Sequence, residues 1–591
     1  MSRAALEYSL SIQMECDNCG RNSVALEQVP ANNFKRNRAG AAAGSIGVCD
    51  LCYAQFRLRE EAVARVVDSG SAKKLIVAGP GTGKTHTFRK LVESLRDGSK
   101  VVIFTLINNL VDDLRELENV PEREVGVFTF HGFCKNLLYQ EVGAAEFSYS
   151  GSLPKLIEQD AELLDLEFET PPEQAFSELR ENEDSVHFYM KRAEYYRAVG
   201  YVDSVYRVFT FFRERSQTIP QYALVIADEY QDFNRLEAAF IDLLATKSPV
   251  LLAGDDDQAL YAFRFASYEF IRAVFGNADF ENFNLPLCSR CPPVLIEAVK
   301  AFIKNAIAKG NLKDRIPKEF ECYWPEKFVE HGLYPKILHA HCSTRATAHA
   351  VVENEIRRLY ALGKDEIDKS KDIPFLIIGP NSHHQLKGLH DYLADKIGSE
   401  FDLDLAEKSA FQIEEGYELL RVDAKNNLGW RIVLFHSPLE REEFSRIIRD
   451  TCENNTNLAD LLPAEYLKYH LEQAEKVADQ EKLDAKEESK PKVKFTTFLG
   501  AKGLSARHVF VIGMNDGEFP ENPKAPTDAE SCQFIVALTR AKFSCSLISH
   551  KFYSKDLNRL VNRPSIFLKM IPNGTKRTIA LKIRKGKLVR A

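Results

Sequence analysis

Residues 75–85 read "LIVAGPGTGKT", an apolar run that opens into glycines and closes on a lysine and a threonine. A buried strand leading through a Gly-rich turn into a helix is the setting of a phosphate-binding loop. The usual pattern is G-x-x-x-x-G-K-[ST], and Ala78 stands in its first Gly slot. The flanks support the reading, with "LIVA" as the strand and "THTFRKLVESLRD" as the helix. Gly79, Gly81 and Gly83 let the backbone turn tightly and aim N–H groups at phosphate oxygens, while the helix N-terminus adds positive potential. The cradle then runs from Ala78 through Gly79, Pro80, Gly81, Thr82 and Gly83. Lys84 reaches the β/γ-phosphates and the Thr85 hydroxyl helps to hold Mg²⁺.

Further buried strands lie on both sides of this loop. "SKVVIFTL" (99–106) and "REVGVFTF" (123–130) follow it, and "YALVIADE" (222–229) and "SPVLLAGDD" (248–256) come after a gap. Helical stretches separate them, which is the order of a parallel α/β sheet. A second α/β pattern starts near Leu285, with "YPKILHA", "DIPFLIIG", "KVKFTTFLG" and "ARHVFVIG". The predicted fold class is α/β: two P-loop lobes, each interrupted by a mainly helical insertion, behind a small N-terminal cysteine module. The boundaries place the module at 1–57, the first lobe at 58–142 and 219–284, and its aromatic-rich insertion at 143–218. The second lobe takes 285–400 and 491–572, its insertion 401–490, and a basic tail 573–591.

A chain of 591 residues exceeds a single core, so several domains are expected. Its formal charge of −7 gives no argument for nucleic-acid binding, which would need a local basic surface. The start of the chain lacks a signal-peptide pattern, and no run approaches a membrane span, so a soluble cytoplasmic protein is expected. The twelve cysteines are too sparse for a disulfide framework. The charge run near residue 480 reads as a solvated helix and hinge.

"ALVIADEYQDF" puts Asp228 and Glu229 side by side at the end of an apolar strand, where paired carboxylates are costly without a cation. A Mg²⁺–nucleotide supplies one: Asp228 for the metal, and Glu229 to orient and deprotonate the attacking water. An acidic strand end facing solvent is the plainer alternative.

With those residues in place, "AGPGTGKT", "TFHGFC", "ADEYQDF", "GDDDQALYAFR", "GAKGL", "GMNDGEFP" and "VALTRAK" together resemble the UvrD-like superfamily 1 DNA helicases, in order and wording, over residues 58–550. The resemblance implies two RecA-like lobes with ATP and Mg²⁺ in the cleft between them and single-stranded DNA across their tops. It implies that Gln258 senses the γ-phosphate and that Arg290 and Arg540 act as arginine fingers. His86 and Gly503 fall at nucleotide-contacting positions, and Arg264 would brace the active-site acids, with an ordinary salt bridge as the alternative. Thr105, Asn108, Thr129, His131 and Phe263 fall at strand-tracking positions. Phe263 would stack on a base, while a core Phe and a core His remain open readings for Phe263 and His131.

Departures from the family gather at the base and ribose end. Arg59 stands where a Gln usually reads adenine, and Cys288 and Ser289 replace the Asn-Tyr before Arg290. Leu499 replaces a His and Ser505 a Glu in "TFLGAKGLS". Relaxed nucleotide choice is therefore expected. The second insertion is short for the family, which bears on unwinding more than on translocation.

Cys16-x₂-Cys19 and Cys49-x₂-Cys52 have the pattern of two knuckles closing one structural Zn²⁺ site, against scattered core thiols. "CSRC" (Cys288, Cys291) reads as packing inside a motif rather than a metal pair. Residues 573–591 are basic without an acid, and contact with nucleic acid and a solvated terminus both remain open. Two functions follow: an ATP-driven 3′–5′ DNA translocase or helicase acting on single-stranded or tailed DNA, or a DNA-stimulated ATPase serving as sensor or regulator for a partner such as a nuclease, as in anti-phage defence. The setting expected by resemblance is a prokaryotic cytoplasm, in association with DNA.

Overall fold

The structure, a computed structural model, describes residues 14–590 apart from 24, 32–33, 35–43, 107–110, 112–113, 142–146, 324–334, 381–382, 406–411, 438, 477–489, 555–558 and 585–586. The first lobe is a six-stranded sheet of β1 (Lys73–Val77), β2 (Lys100–Phe104), β3 (Glu124–Phe128), β4 (Leu224–Ala227), β5 (Val250–Gly254) and β6 (Glu281–Asn284). Their order across the sheet is β6-β1-β5-β4-β2-β3, and every pairing is parallel. Runs such as "LVIA" are buried on both faces, as an all-parallel sheet requires.

The second lobe is an eight-stranded sheet: β7 (Ile337–Cys342), β8 (Ile373–Gly379), β9 (Asp402–Leu405), β10 (Lys492–Thr497), β11 (Ala506–Val511), β12 (Ala541–His550), β13 (Lys576–Arg584) and β14 (Lys587–Arg590). The order is β9-β10-β8-β11-β12-β7-β13-β14, parallel except for the β13–β14 hairpin. These are two RecA-like lobes. Three boundaries differ from the sequence reading. Helix α1 starts at Asp50, inside the cysteine module, and runs to Asp68 on the first lobe, so no break falls at 57. Asp402–Leu405 pairs with β10, so the second insertion begins after it. Residues 576–584 and 587–590 form two strands of the second sheet rather than a tail, because Ile579, Leu581 and Leu588 pack into that lobe's core.

The two insertions share one core. Leu156, Tyr189 and Tyr196 of the first pack with Trp430, Ile432 and Ile448 of the second. Inside it, Asp160 accepts from Arg192 Nε (2.8 Å), Tyr196 Oη (2.6 Å) and Arg431 Nε (2.8 Å). Both Asp160 and Arg431 are 0% exposed. A buried carboxylate with this many donors meets its desolvation cost only while both insertions are in place.

Candidate active site

Helix α2 (Lys84–Ser94) begins at the loop's end, with Gly83 in the left-handed region as its N-terminal flank. Gly81 also has positive φ, +72°, and a Cβ there would lie 2.4 Å from Arg290 Cβ. Glycine is thus required both by the turn and by the closeness of the second lobe. Ala78 is buried, its N–H bonded to Gly254 O at 3.0 Å, so its methyl group fills core between β1 and β5.

The loop's Pro80, Gly81, Lys84 and Thr85 line one pocket with Asp228 and Glu229. Gln258, Arg290, Gly503 and Arg540 close its other side. The pocket is therefore built by both lobes. Ser289 N–H donates to Gly81 O (2.9 Å) and Cys288 Sγ to Pro80 O (3.1 Å), which presses the Arg290 segment onto the phosphate loop. Cys291 Sγ donates to Thr539 O at 3.4 Å, so the "CSRC" thiols serve packing.

Lys84 Nζ lies 3.0 Å from Asp228 Oδ1 and 2.6 Å from Glu229 Oε1. Lys502 lies 3.3 Å from Glu229 Oε2 and also pairs with Asp232. Burial drives both carboxylates up, and Asp228 stays above the usual carboxylate range; for Glu229, Lys84 and Lys502 outweigh burial and hold it below. Burial pulls the Lys502 ammonium down to about 8 against the pull of Glu229. Burial, with Arg290 nearby, pulls Arg540 down to about 9. A buried guanidinium with a half-buried one nearby is uncomfortable until an anion lies between them. Arg540 Nη2 also donates to Gln258 Oε1 (3.0 Å), and Gln258 Nε2 to Asp255 Oδ2 (2.7 Å), so Arg540 and Gln258 belong to one network.

Two matched segments of sequence agree with this geometry. Residues 59–264 match the family model "AAA domain", and residues 440–551 match "UvrD-like helicase C-terminal domain". These matches and the relatives below mark a UvrD-like DNA helicase, an ATP-hydrolysing enzyme. It is 24% identical to a probable DNA helicase II homolog of Mycoplasma capricolum, over 79% of this chain and 81% of that protein. It is 22% identical to ATP-dependent DNA helicase PcrA of Leuconostoc citreum, over 56% of this chain and 51% of that one. It is 23% identical to DNA helicase II of Escherichia coli, over 39% of this chain and 38% of that one. The matched stretches of the last two thus span about half or less of those relatives.

Several site residues of this helicase escaped sequence reading. Lys502 sits in the quoted "GAKGL" and was readable as a buried cation facing acids. Lys318 was not: it lies 2.6, 2.9 and 2.8 Å from Asp255, Asp256 and Asp257, and Arg315 Nε donates to Asp257 Oδ1 at 2.8 Å. These contacts tie a second-lobe loop to the segment that precedes Gln258, and no local pattern announces them.

Other predicted residues land elsewhere. Arg264 does not reach Asp228 or Glu229; it lines a separate pocket with His131, Tyr201 and Glu237. Its 3-10 turn, Ala262–Arg264, carries it away from the phosphates. His86 faces α1, 4.0 Å from Glu60, and burial pulls it down to about 4. Thr82 Oγ1 donates to Gly79 O inside the loop. Thr105 is 0% exposed, so it is a core residue beyond a strand's reach in this arrangement. Asn108 lies outside the described residues. Thr129 Oγ1 accepts from Gly132 N–H at the start of the His131 helix, and His131 stands edge-on to Tyr201 at 5.7 Å. Phe263 is 60% exposed, unlike a core Phe.

At the base end, the Arg59 guanidinium lies 5.2 Å over the Tyr323 ring and 3.4 Å from where a Cβ on Gly83 would stand. Tyr323 stacks on Phe34 of the cysteine module at 5.2 Å. Arg59 is thus held by an aromatic ring rather than arrayed as an adenine reader. Rates with ATP, GTP and CTP at equal concentrations should fall within about tenfold of one another, since Arg59, held over Tyr323, replaces the Gln expected to make a bidentate base contact worth a few kcal/mol. Strict ATP selectivity would contradict this placement.

The four cysteines Cys16, Cys19, Cys49 and Cys52 are all buried, with their sulfurs within 4.8 Å of one another. Cys16–Cys52 and Cys19–Cys49 Sγ pairs stand 3.9 and 3.6 Å apart. Tetrahedral thiolates around a zinc ion, at ~2.3 Å from the metal, sit roughly 3.8 Å apart. Cys49 N–H (3.2 Å) and Asn18 Nδ2 (3.2 Å) donate to Cys16 and Cys52 sulfurs, which suits thiolate charge. Among the described residues, no helix is long and apolar enough to cross a membrane.

Proposed function

We propose that the protein couples hydrolysis of Mg-ATP to 3′–5′ movement along single-stranded DNA, with the phosphates held in the two-lobed pocket. The supporting observation is that Lys84, Asp228 and Glu229 of one lobe face Arg290 and Arg540 of the other across that pocket. Thr85 and Asp228 would hold Mg²⁺; Asp228 Oδ1 is buried and faces the Lys84 ammonium at 3.0 Å, a place where a second cation could stand once Lys84 turns to phosphate. Held there, the ion would supply charge neutralisation at the phosphates. Phosphate entering the loop draws Lys84 off the carboxylates. Glu229 then faces one cation instead of two and becomes a stronger base for the attacking water. Arg290 and Arg540 neutralise charge at the γ-phosphate, and the Gln258 link reports its presence toward Phe263, in the same segment, whose exposed ring suits base stacking. The cysteine cluster, by its donor set and spacing, would hold a structural Zn²⁺ with no open coordination position.

A second reading is favoured by the fused insertions. If the second insertion cannot turn without breaking the Asp160–Arg431 pair and its core, strand separation that needs such a turn is suppressed. The protein would then act as a DNA-stimulated ATPase sensing DNA for a partner such as a nuclease. The deciding experiment measures ATPase rate with and without single-stranded DNA, then unwinding of duplexes with 3′ or 5′ tails. Lys84→Ala and Glu229→Gln are the controls, and Glu229→Gln should bind ATP yet hydrolyse it roughly 10²–10⁴-fold more slowly. Unwinding from a 3′ tail supports the first reading, stimulated hydrolysis without unwinding the second. A wild-type protein that hydrolyses no ATP rules out both.

A further inference from the structure

The β13–β14 hairpin ends the second sheet with one of its own faces exposed. Ile579 and Leu581 point into the core, so the alternate residues Lys576, Thr578, Ala580, Lys582 and Arg584 share the opposite face. Register adds Lys587, which pairs with Arg584. Thr578 confirms the side, since its hydroxyl lies 3.3 Å from His339 Nδ1 on the neighbouring β7. Between this face and the helix at Phe567–Met570 runs a cleft of about 440 Å³, lined by Arg563, Lys569 and Lys576 among others.

Charge is lopsided here. Among the described residues, no carboxylate forms an ion pair with Lys582, Arg584 or Lys587, and Arg563 and Lys569 share the single field of Asp516, while the whole chain carries a formal charge of −7. Asp516, the acid on the cleft wall, is committed to Ile566 N–H at 2.7 Å. Lys576 is partly committed as well, donating to Ile571 O at 3.0 Å. Lys582, Arg584 and Lys587 are all exposed. Cations on an edge strand discourage unwanted strand pairing, and that suffices for β14. It does not explain Arg563 and Lys569, which face the hairpin across the cleft from a different element.

We infer that this open face, with its cleft, is a second nucleic-acid surface that grips the phosphodiester backbone of a strand outside the cleft between the lobes. One-faced cations on a strand repeat about every 6.8 Å, which suits phosphates strung along a chain better than a compact ligand. The inference rests on the DNA-dependent reading above and extends it: the second lobe holds DNA at two places, one that moves with hydrolysis and one that tethers.

The test is the triple variant Lys582→Glu, Arg584→Glu, Lys587→Glu in the full chain, with Lys582→Gln, Arg584→Gln, Lys587→Gln beside it should charge reversal disturb folding. Binding is measured on a short single strand that fills only the lobe crossing and on a long one, over a salt series. Both variants should keep DNA-free ATPase and short-strand affinity within about twofold. They should lose about tenfold on the long strand, and the slope of log affinity against log salt should shrink by roughly 2, near 0.7 per lost phosphate contact. A photo-crosslinker on Ala580→Cys should label the long strand. Long-strand affinity and salt slope equal to wild type would overturn the inference while leaving the proposed activity standing. A wild-type protein that binds neither strand would overturn both.

Discussion

Arg540→Ala is expected to slow DNA-stimulated ATP hydrolysis by roughly 10³–10⁵-fold, the range for loss of an arginine finger. ATP binding should change by far less, because the phosphate loop and Lys84 remain. The expectation rests on where the guanidinium sits. Arg540 is 3% exposed, at the pocket wall, with Arg290 close enough to pull it further down than burial alone. Two like charges facing one pocket, Arg540 buried and Arg290 half-buried, are unfavourable in the resting protein and favourable with an anion between them, which is how binding becomes selective for the transition state. Arg540 also has structural duties: Nε donates to Val536 O (3.0 Å) and Nη1 to Leu504 O (3.3 Å). Arg540→Lys separates the two roles, since a lysine restores charge but not the fork to Gln258. Hydrolysis that survives Arg540→Ala within tenfold, with an unchanged melting profile, would remove the finger from the mechanism.

Metal removal is the second large effect. Chelation, or Cys16→Ser with Cys49→Ser, should release one zinc ion per chain, unfold the residues before α1 and weaken nucleotide binding by about tenfold. Structural zinc sites contribute on the order of 10 kcal/mol to folding of their modules, and this module's core is otherwise small: Val29, Phe34, Ile46 and Val48 around the cysteines. Its effect need not stay local. Cys49 is the N-cap of α1 and Cys52 lies in its first turn, and this helix carries Arg59 to the phosphate loop. Phe34 stacks on Tyr323, beneath Arg59, and the module core also includes Leu287, beside the Arg290 segment. Metal content by emission spectroscopy, melting curves and the affinity for a fluorescent nucleotide read these consequences separately. Tyr323→Ala should keep the zinc yet reproduce the nucleotide defect. Zinc-free protein with wild-type melting and affinity would make the module an ornament.

Much of this was legible in the residues because the chemistry is local. A strand, a Gly-rich turn and a Lys-Thr pair occupy consecutive positions, and so do Asp228 and Glu229, so the phosphate end could be read directly. The cysteine knuckles are likewise two short spacings. What stayed hidden depends on long-range approach. Lys318 meets the three aspartates from a loop with no motif of its own, and Asp160 finds Arg431 across two insertions far apart in sequence. Residues 576–590 read as a tail because alternation of Ile579 and Leu581 with cations is weak and sits beside many charges. Thr105 and Arg264 went astray for a related reason: a motif names a residue but not the side to which its side chain turns.

The most direct measurement of the central claim is presteady-state translocation on single strands of increasing length, labelled with a fluorophore at one end. With the label at the 5′ end, the ATP-driven arrival signal should come later as the strand grows longer, in proportion to length, and Glu229→Gln should abolish it. Length-dependent arrival at the 3′ end instead, or ATP hydrolysis with no length-dependent arrival at either end, would contradict 3′–5′ movement.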